Sequence, residues 1–264
     1  MIRSIKIIVP TLNSYLILPK LVDSLKNQTW KEWNVLFVDG NSNSRHIEWL
    51  RDICLYDPRF NFIKESKNNE GIFGAMNQGL VGLKDDEWVL FWGSDDWAFS
   101  PNALEDVIKE VNTLSCNYDL IVCRGQYIDA QSNKLIRKSY FIKNKKLETL
   151  DRKKYRNKLF LGLIPPHQTT LFNKNIFQEF SYFTKELKLA ADLDYFLRAS
   201  HIKNLSLLVL DKNIVNMSTN GISSKQNILR FKEVIYSYKK SFGYLFLVPF
   251  FLRYIRRIIL VIFK

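Results

Sequence analysis

Short apolar runs alternate with amphipathic stretches from Ile5 to Val111, and this alternation restricts the possible folds more than any other feature of the chain. Ile5-Lys6-Ile7-Ile8-Val9 reads as a buried strand stopped by Pro10, after which Leu18, Leu21, Val22 and Leu25 recur at helical spacing. Trp33 to Val38 gives a second strand, a helix carrying Ile47, Leu50 and Cys54 follows, and Phe60 to Lys64 gives a third strand. Ala75, Met76 and Leu83 predict a third helix, and Trp88 to Trp92 a fourth strand. Ser100-Pro101 supplies an N-cap and a first-turn proline for a helix through Leu104, Val107, Ile108 and Val111. Strands that alternate with helices predict a mainly parallel, Rossmann-like sheet flanked by helices, an α/β fold with right-handed crossovers. Beyond Tyr118 the alternation weakens: strands are expected near Leu120 to Cys123, Gln126 to Ile128 and Gln168 to Phe172, and a helix from about Asp192 to Ser200.

Such sheets bind ligands at the carboxyl ends of their strands. The polar residues of interest lie there: Pro10-Thr11-Leu12-Asn13 after the first strand, Asp39 after the second, and Ser94-Asp95-Asp96 after the fourth. The first turn lacks the glycine-rich loop of a dinucleotide site, so nicotinamide chemistry is disfavoured. Thr11 and Asn13 could instead hydrogen-bond a base and ribose, although an ordinary polar β-α turn has the same composition. Two adjacent carboxylates leaving a buried strand suit a hard divalent cation and the phosphates it neutralises, whereas in isolation an Asp-Asp pair reads first as a solvated turn or a helix-capping cluster before Ser100.

The formal net charge of +13 calls for an anionic partner. No nucleic-acid-binding motif is present, so nucleic acid is not expected to be that partner. Lys239, Lys240, Arg253, Arg256, Arg257 and Lys264 lie in an otherwise apolar tail without Asp or Glu. Arg253, Arg256 and Arg257 share a helical face, which predicts an amphipathic helix lying in the interface of an anionic membrane; a terminal helix packed on the core is the alternative. A second basic run, Arg137 to Lys158, could meet lipid phosphates or an acceptor pyrophosphate, or be a solvated insert. Cys54, Cys116 and Cys123 have neither disulfide nor zinc spacing, and no signal peptide precedes the first strand, so a cytoplasmic location is expected. The expected domains are a catalytic unit over 1–240 and a membrane-associating tail over 241–264.

The ordered series Ile7-Ile8-Val9-Pro10-Thr11-Leu12-Asn13, Val38-Asp39-Gly40-Asn41-Ser42, Asn69 to Gly79, Trp92-Gly93-Ser94-Asp95-Asp96, Pro166 to Phe172 and Ala190 to Arg198 resembles glycosyltransferase family 2, inverting enzymes with a GT-A fold. The resemblance implies that Pro10, Thr11, Asn13 and Asp39 contact the uracil and ribose of a UDP-sugar. It also implies that Gly71 and Asn77 shape the loop beside the nucleotide, and that Ser94 and Asp95 reach ribose or sugar. Asp96 would bind Mg²⁺ or Mn²⁺, His167 and Gln168 would approach donor sugar or acceptor, and Asp192 would be the catalytic base. Many relatives carry an acidic residue where this chain has Gly93. His46 and His201 have no counterpart in this pattern and are expected to be structural or surface residues, and Asp194 to be a helix-terminal charge.

Together these readings predict an inverting transferase that moves a hexose (glucose, galactose or N-acetylhexosamine) from a UDP-sugar to a hydroxyl of a lipid-linked saccharide. The setting would be O-antigen or capsule assembly, peripheral on the inner face of the cell membrane. The alternatives are a sugar nucleotidyltransferase, which would need a glycine-rich basic loop that is missing, and a non-catalytic basic membrane-binding module.

Overall fold

The computed structural model describes residues 2–114, 116–143, 146–179, 183–219 and 227–262. Its first half follows the alternation: β1 (Ser4–Thr11), α1 (Leu18–Lys26), β2 (Trp33–Asp39), α2 (Ser44–Tyr56), β3 (Phe60–Lys64), α3 (Ile72–Gly79) and β4 (Glu87–Phe91). β1 pairs in parallel with both β2 and β4, and β2 with β3, which gives the order β3-β2-β1-β4. The winding therefore reverses between β1 and β4, and a reversal of that kind opens a crevice beyond the carboxyl ends of the strands.

Successive side chains of β1 serve opposite faces of the sheet. Ile5, Ile7 and Val9 pack with Leu18, Leu21, Val22 and Leu25 of α1, while Ile8 packs with Ala75 and Met76 of α3. Helices on both faces explain why the strand reads as a continuous apolar run. Each of the fully buried Ile, Val and Leu side chains among these stabilises the fold by roughly 1.5–3 kcal/mol.

The second half comprises β5 (Trp97–Ala98), α4 (Ala103–Asn112), β6 (Leu120–Ile128), β7 (Leu135–Ser139), β8 (Leu147–Asp151), α5 (Arg152–Phe160), β9 (Thr170–Asn173), α6 (Lys174–Glu179), α7 (Ala191–Ala199), β10 (Ser206–Ser218), α8 (Asn227–Phe242) and α9 (Leu247–Ile262). β9 inserts antiparallel between β4 and β6, and β10 runs parallel to β6 while β8 and β5 join it antiparallel. The expected α/β architecture, a central and mostly parallel sheet flanked by helices, is what the chain adopts, with antiparallel strands confined to this half.

Local boundaries differ from the sequence reading in instructive ways. The two strands expected in 120–128 are one continuous β6, because the half-buried Arg124 that interrupts the apolar pattern forms an ion pair with Asp211 of β10. The helix expected to start at Ser100-Pro101 begins at Ala103; the buried Gln28 takes the carbonyl of Ser100 and gives its own oxygen to the Leu104 N–H, tying the turn back to the end of α1. Leu83 lies beyond the end of α3. Residues His167–Thr169 form a single 3-10 turn ahead of β9.

The tail forms a helix as expected, but it has two distinct flanks. Phe250 and Tyr254 pack against the core, with the Tyr254 ring stacked on Phe231 of α8 at 4.6 Å. Gly162, at φ 76°, is pressed by α9: a Cβ there would lie 2.5 Å from the Arg253 nitrogen. Val248, Phe251, Ile255 and Ile258 remain exposed. Of the arginine face, Arg253 is half-buried and Arg256 exposed; the Arg257 side chain, with Phe263 and Lys264, lies outside the described residues. Among the described residues no helix is long and apolar enough to cross a membrane.

Candidate active site

Thr11 and Asp39 end adjacent parallel strands and face each other in register, both buried. The Asp39 carboxylate accepts hydrogen bonds from the Ser42 N–H at 2.9 Å, the Ser42 hydroxyl at 2.5 Å and the Thr11 hydroxyl at 3.4 Å. Asn13, held at φ 50°, joins the two loops: its N–H donates to Ser42 Oγ at 2.8 Å and its Oδ1 accepts from the Asn43 N–H at 2.9 Å. Pro10, half-buried, precedes this lattice in β1. His46 of α2, expected to be a structural or surface residue, is wholly buried with Nε2 3.3 Å from Asp39 Oδ1, an approach that lacks hydrogen-bond geometry. Burial lowers the pKa of its imidazole and the Asp39 charge works against that.

Gly71 enters α3 at φ 89°, a conformation that side-chain-bearing residues rarely adopt. Its N–H reaches the Glu65 carboxylate, and the Glu65 N–H in turn bonds the Asp39 carbonyl at 2.8 Å, so Gly71 sits on the rim that Asp39 forms. Asn77, expected to shape the loop beside the nucleotide, has its buried side-chain amide engaged at both ends with the backbone of Phe183, donating at 2.9 Å and accepting at 2.8 Å. It fastens a later segment to α3, which is a scaffolding geometry.

Residues 93–96 turn sharply after β4. The Asp96 N–H bonds the Gly93 carbonyl at 3.1 Å and the Gly93 N–H donates to Asp96 Oδ2 at 2.6 Å. A Cβ on Gly93 would stand 2.8 Å from Asp95 Oδ1 and 3.3 Å from Asp96 Oδ2, so the bare backbone at 93 is what lets both carboxylates lean over the turn. Ser94 and Asp95 are half-buried and Asp96 is buried. Burial raises the pKa of Asp95, and burial together with the Asp95 charge raises that of Asp96 further.

Two desolvated carboxylates that repel each other are relieved together by a divalent cation. Among the described residues no third His, Cys, Asp or Glu completes a cage, so water or phosphate oxygens would fill the remaining positions, as Mg²⁺-like ions prefer. The Asp95-Asp96 pair fits such an ion.

The far wall comes from the segment before β9 and from α7. His167 is buried, stacked on Phe91 of β4 at 5.2 Å, and its Nε2 has no hydrogen-bond partner. Burial pushes its pKa down to about 4, opposed by the charge of Asp192. Gln168 contributes its backbone carbonyl to the Trp92 indole N–H at 3.0 Å. Asp192 lies half-buried in the first turn of α7, its Oδ1 accepting the Leu193 N–H at 2.7 Å. Asp194 is, as expected, a structural charge, paired with Arg198 at 2.7 Å and bonded by Thr184 at 2.7 Å.

Tyr127 of β6 joins these parts. Burial raises the pKa of its phenol and the charges of both Asp96 and Asp192 act on it, while the Arg137 guanidinium covers its ring at 3.7 Å. Ser42, His46, Tyr127 and Arg137 were not among the expected site residues. Ser42 had a local signal, since Asp39-Gly40-Asn41-Ser42 can close on the carboxylate within one turn. Tyr127 and Arg137 meet only through the β6–β7 register.

Comparison with known proteins identifies the family and the fold. The profile of Glycosyl transferase family 2 matches residues 6–180. The PGL/p-HBAD biosynthesis glycosyltransferase of Mycobacterium bovis (strain BCG / Pasteur 1173P2) is 24% identical over 229 residues, covering 87% of this chain and 81% of that protein. The GalNAc(5)-diNAcBac-PP-undecaprenol beta-1,3-glucosyltransferase of Campylobacter jejuni is 28% identical over 108 residues, 41% of this chain and 34% of that protein. The crystal structure of S. aureus TarS 1-349 in complex with UDP-GlcNAc superposes with a TM-score of 0.69 at 19% identity, covering 90% of this chain and 67% of that one. The chain spans 39% of the longer TarS structure. The fold is thus GT-A, and the chain belongs to glycosyl transferase family 2.

Proposed function

We propose that the chain transfers a hexose, with inversion, from a UDP-sugar to a hydroxyl of a lipid-linked saccharide in surface-polysaccharide assembly of the O-antigen or capsule type. The observation that carries this reading is that Thr11, Asp39 and the Asp95-Asp96 turn lie at the carboxyl ends of β1, β2 and β4, adjacent parallel strands of one sheet. In this reading the carboxylate pair suits a cation beside loops suited to a nucleotide, and Asp192 is the separate carboxylate suited to a base.

In this reading Pro10, Thr11, Asn13 and Asp39 hold uracil and ribose, with Gly71 admitting the nucleotide along the rim. Asn77 contributes indirectly, by fixing Phe183. Ser94 and Asp95 reach the ribose or sugar, and Asp96 with Asp95 would hold Mg²⁺ or Mn²⁺. When bound, that ion supplies positive charge to the departing diphosphate. Asp192 takes the acceptor hydroxyl proton as the oxygen bonds the anomeric carbon and the bond from that carbon to the UDP oxygen breaks. Attack opposite the leaving group inverts the centre. His167 stays neutral at physiological pH and, with Gln168, lines the sugar or acceptor side.

Residues 1–240 serve as the catalytic unit and 241–264 as a tail that holds it at an anionic membrane, on the cytoplasmic face. The exposed apolar flank of α9 beside basic residues supports this part. The test is UDP release by purified protein with Mn²⁺, a panel of UDP-sugars and lipid-linked acceptor. Asp192→Asn should lose turnover by at least about 10²-fold and keep donor binding; unchanged turnover would falsify the assigned base.

A further inference from the structure

A cationic feature that shares no residue with this site lies at the start of α5. Arg152, Lys153, Arg156 and Asn157 with Ser200 and His201 line a pocket of about 330 Å³ that contains no carboxylate. A contiguous depression of about 490 Å³ shares Arg152 and Lys153 and adds Lys203. Its one acid, Asp151, already accepts the Lys154 N–H at 2.8 Å as the α5 N-cap. None of the ion pairs among the described residues includes Arg152, Lys153 or Arg156.

Arg156 is held rigidly. One guanidinium nitrogen bonds Ser200 Oγ at 3.0 Å and lies 2.9 Å from His201 Nε2, the other donates to the Ser241 carbonyl at 2.9 Å, and the plane covers the Phe242 ring. Arginine only donates, so His201 accepts through Nε2 and is neutral in this contact. The positive neighbours Arg152 and Arg156 hold the His201 pKa down, after burial. Converging cations with a fixed guanidinium and no acidic partner make a receptor for a phosphate group.

Ser241 and Phe242, which hold Arg156, lead along the chain to the fully exposed Tyr244 and the exposed Leu245, and then to the apolar flank of α9. Phosphate recognition followed by apolar surface is the sequence of groups met along a phospholipid. We infer that this pocket binds the phosphate of an anionic phospholipid headgroup, the second signal that a single amphipathic helix needs for stable anchoring. The inference rests on the membrane part of the function proposed above for the source of the phosphate, and is independent of the transfer chemistry.

The test uses the full chain with vesicles of phosphatidylcholine alone or mixed with phosphatidylglycerol, and NMR of the His201 imidazole during titration with inorganic phosphate. The double variant Arg152→Glu/Lys153→Glu should lose about tenfold or more of its partition into phosphatidylglycerol vesicles, while Lys31→Glu/Arg51→Glu, equal in charge but outside the pocket, should lose little. Inorganic phosphate should shift the His201 resonances and compete with the vesicles. A His201 response without any pocket-specific loss of vesicle binding would overturn the headgroup in favour of a free phosphate. Equal losses for the two double variants, with no His201 response, would overturn the pocket altogether. Vesicle binding that depends on the pocket in a protein inactive towards every UDP-sugar would leave this inference standing and sink the transfer reading.

Discussion

At Asp96 the role proposed for the carboxylate and the stability of the fold pull in opposite directions. Its pKa is raised in the folded chain, so the folded state loses stability as pH rises through the unfolded carboxyl value and on through the folded one, and the whole penalty is present above both. Asp96→Asn removes the charge and can keep the oxygen that accepts the Gly93 N–H. In metal-free buffer at neutral pH its Tm should rise by about 2–4 °C for each kcal/mol relieved, while UDP release is lost. A lower Tm in calorimetry would contradict the burial argument. His167 gives a second pH signature with the opposite sign. The unfolded chain takes up its proton from about pH 6.5 downward, whereas the folded chain waits until about pH 4. Stability should therefore fall across that window by up to about 3 kcal/mol, and denaturant titrations of His167→Gln should show a flatter slope. Much of this residue-scale picture is legible in the sequence, because Thr11, Asp39 and Asp95-Asp96 owe their places to strand ends that local apolar runs define. His46 was not legible: nothing in its neighbours says that α2 turns it inward onto Asp39.

The element that carries Asp192 is held by a residue with no sequence signal. Glu233 of α8, buried, accepts the N–H groups of Lys188, Leu189 and Ala190 at 2.9, 2.8 and 2.8 Å. These donors lead into the N-terminus of α7, so one carboxylate satisfies backbone groups that no helical carbonyl can reach. The partners lie 43 to 45 residues apart, a separation that periodicity cannot bridge. The same limit hides the pairing of β9, a strand expected from the sequence whose antiparallel insertion between β4 and β6 depends on which edges are free once β1 to β4 have paired. Glu233→Gln loses the charge and at least one acceptor, and should cost on the order of 2–3 kcal/mol. Hydrogen exchange should accelerate at residues 188–190 first. Turnover should fall with donor KM unchanged, since Thr11, Asp39 and Asp95 are untouched; an equal change in both would mean that Glu233 supports the whole domain and not the placement of Asp192.

On the scale of the whole molecule the two flanks of α9 divide the work between fold and surface. Phe250 and Tyr254 close the core over α8, and Gly162 is bare where α9 crosses it. The sequence marked this stretch as amphipathic and left open whether it packs or meets lipid; only the three-dimensional placement of Gly162 and Phe231 separates the residues that pack from those that do not. Apolar groups exposed side by side, such as Phe251, Ile255 and Ile258, gain no stability from the fold and are a liability unless something covers them. Substitutions on the two flanks should thus behave differently. Tyr254→Ala opens the contact with Phe231 and should lower Tm by several degrees, on the order of 1–3 kcal/mol. Phe251→Ser/Ile255→Ser should leave Tm within about a degree, because neither side chain is buried on folding, and should reduce co-sedimentation with anionic vesicles several-fold. Should the double serine variant melt much earlier while binding vesicles as before, the flank would be a packing surface and the tail would have no part in holding the enzyme at a membrane.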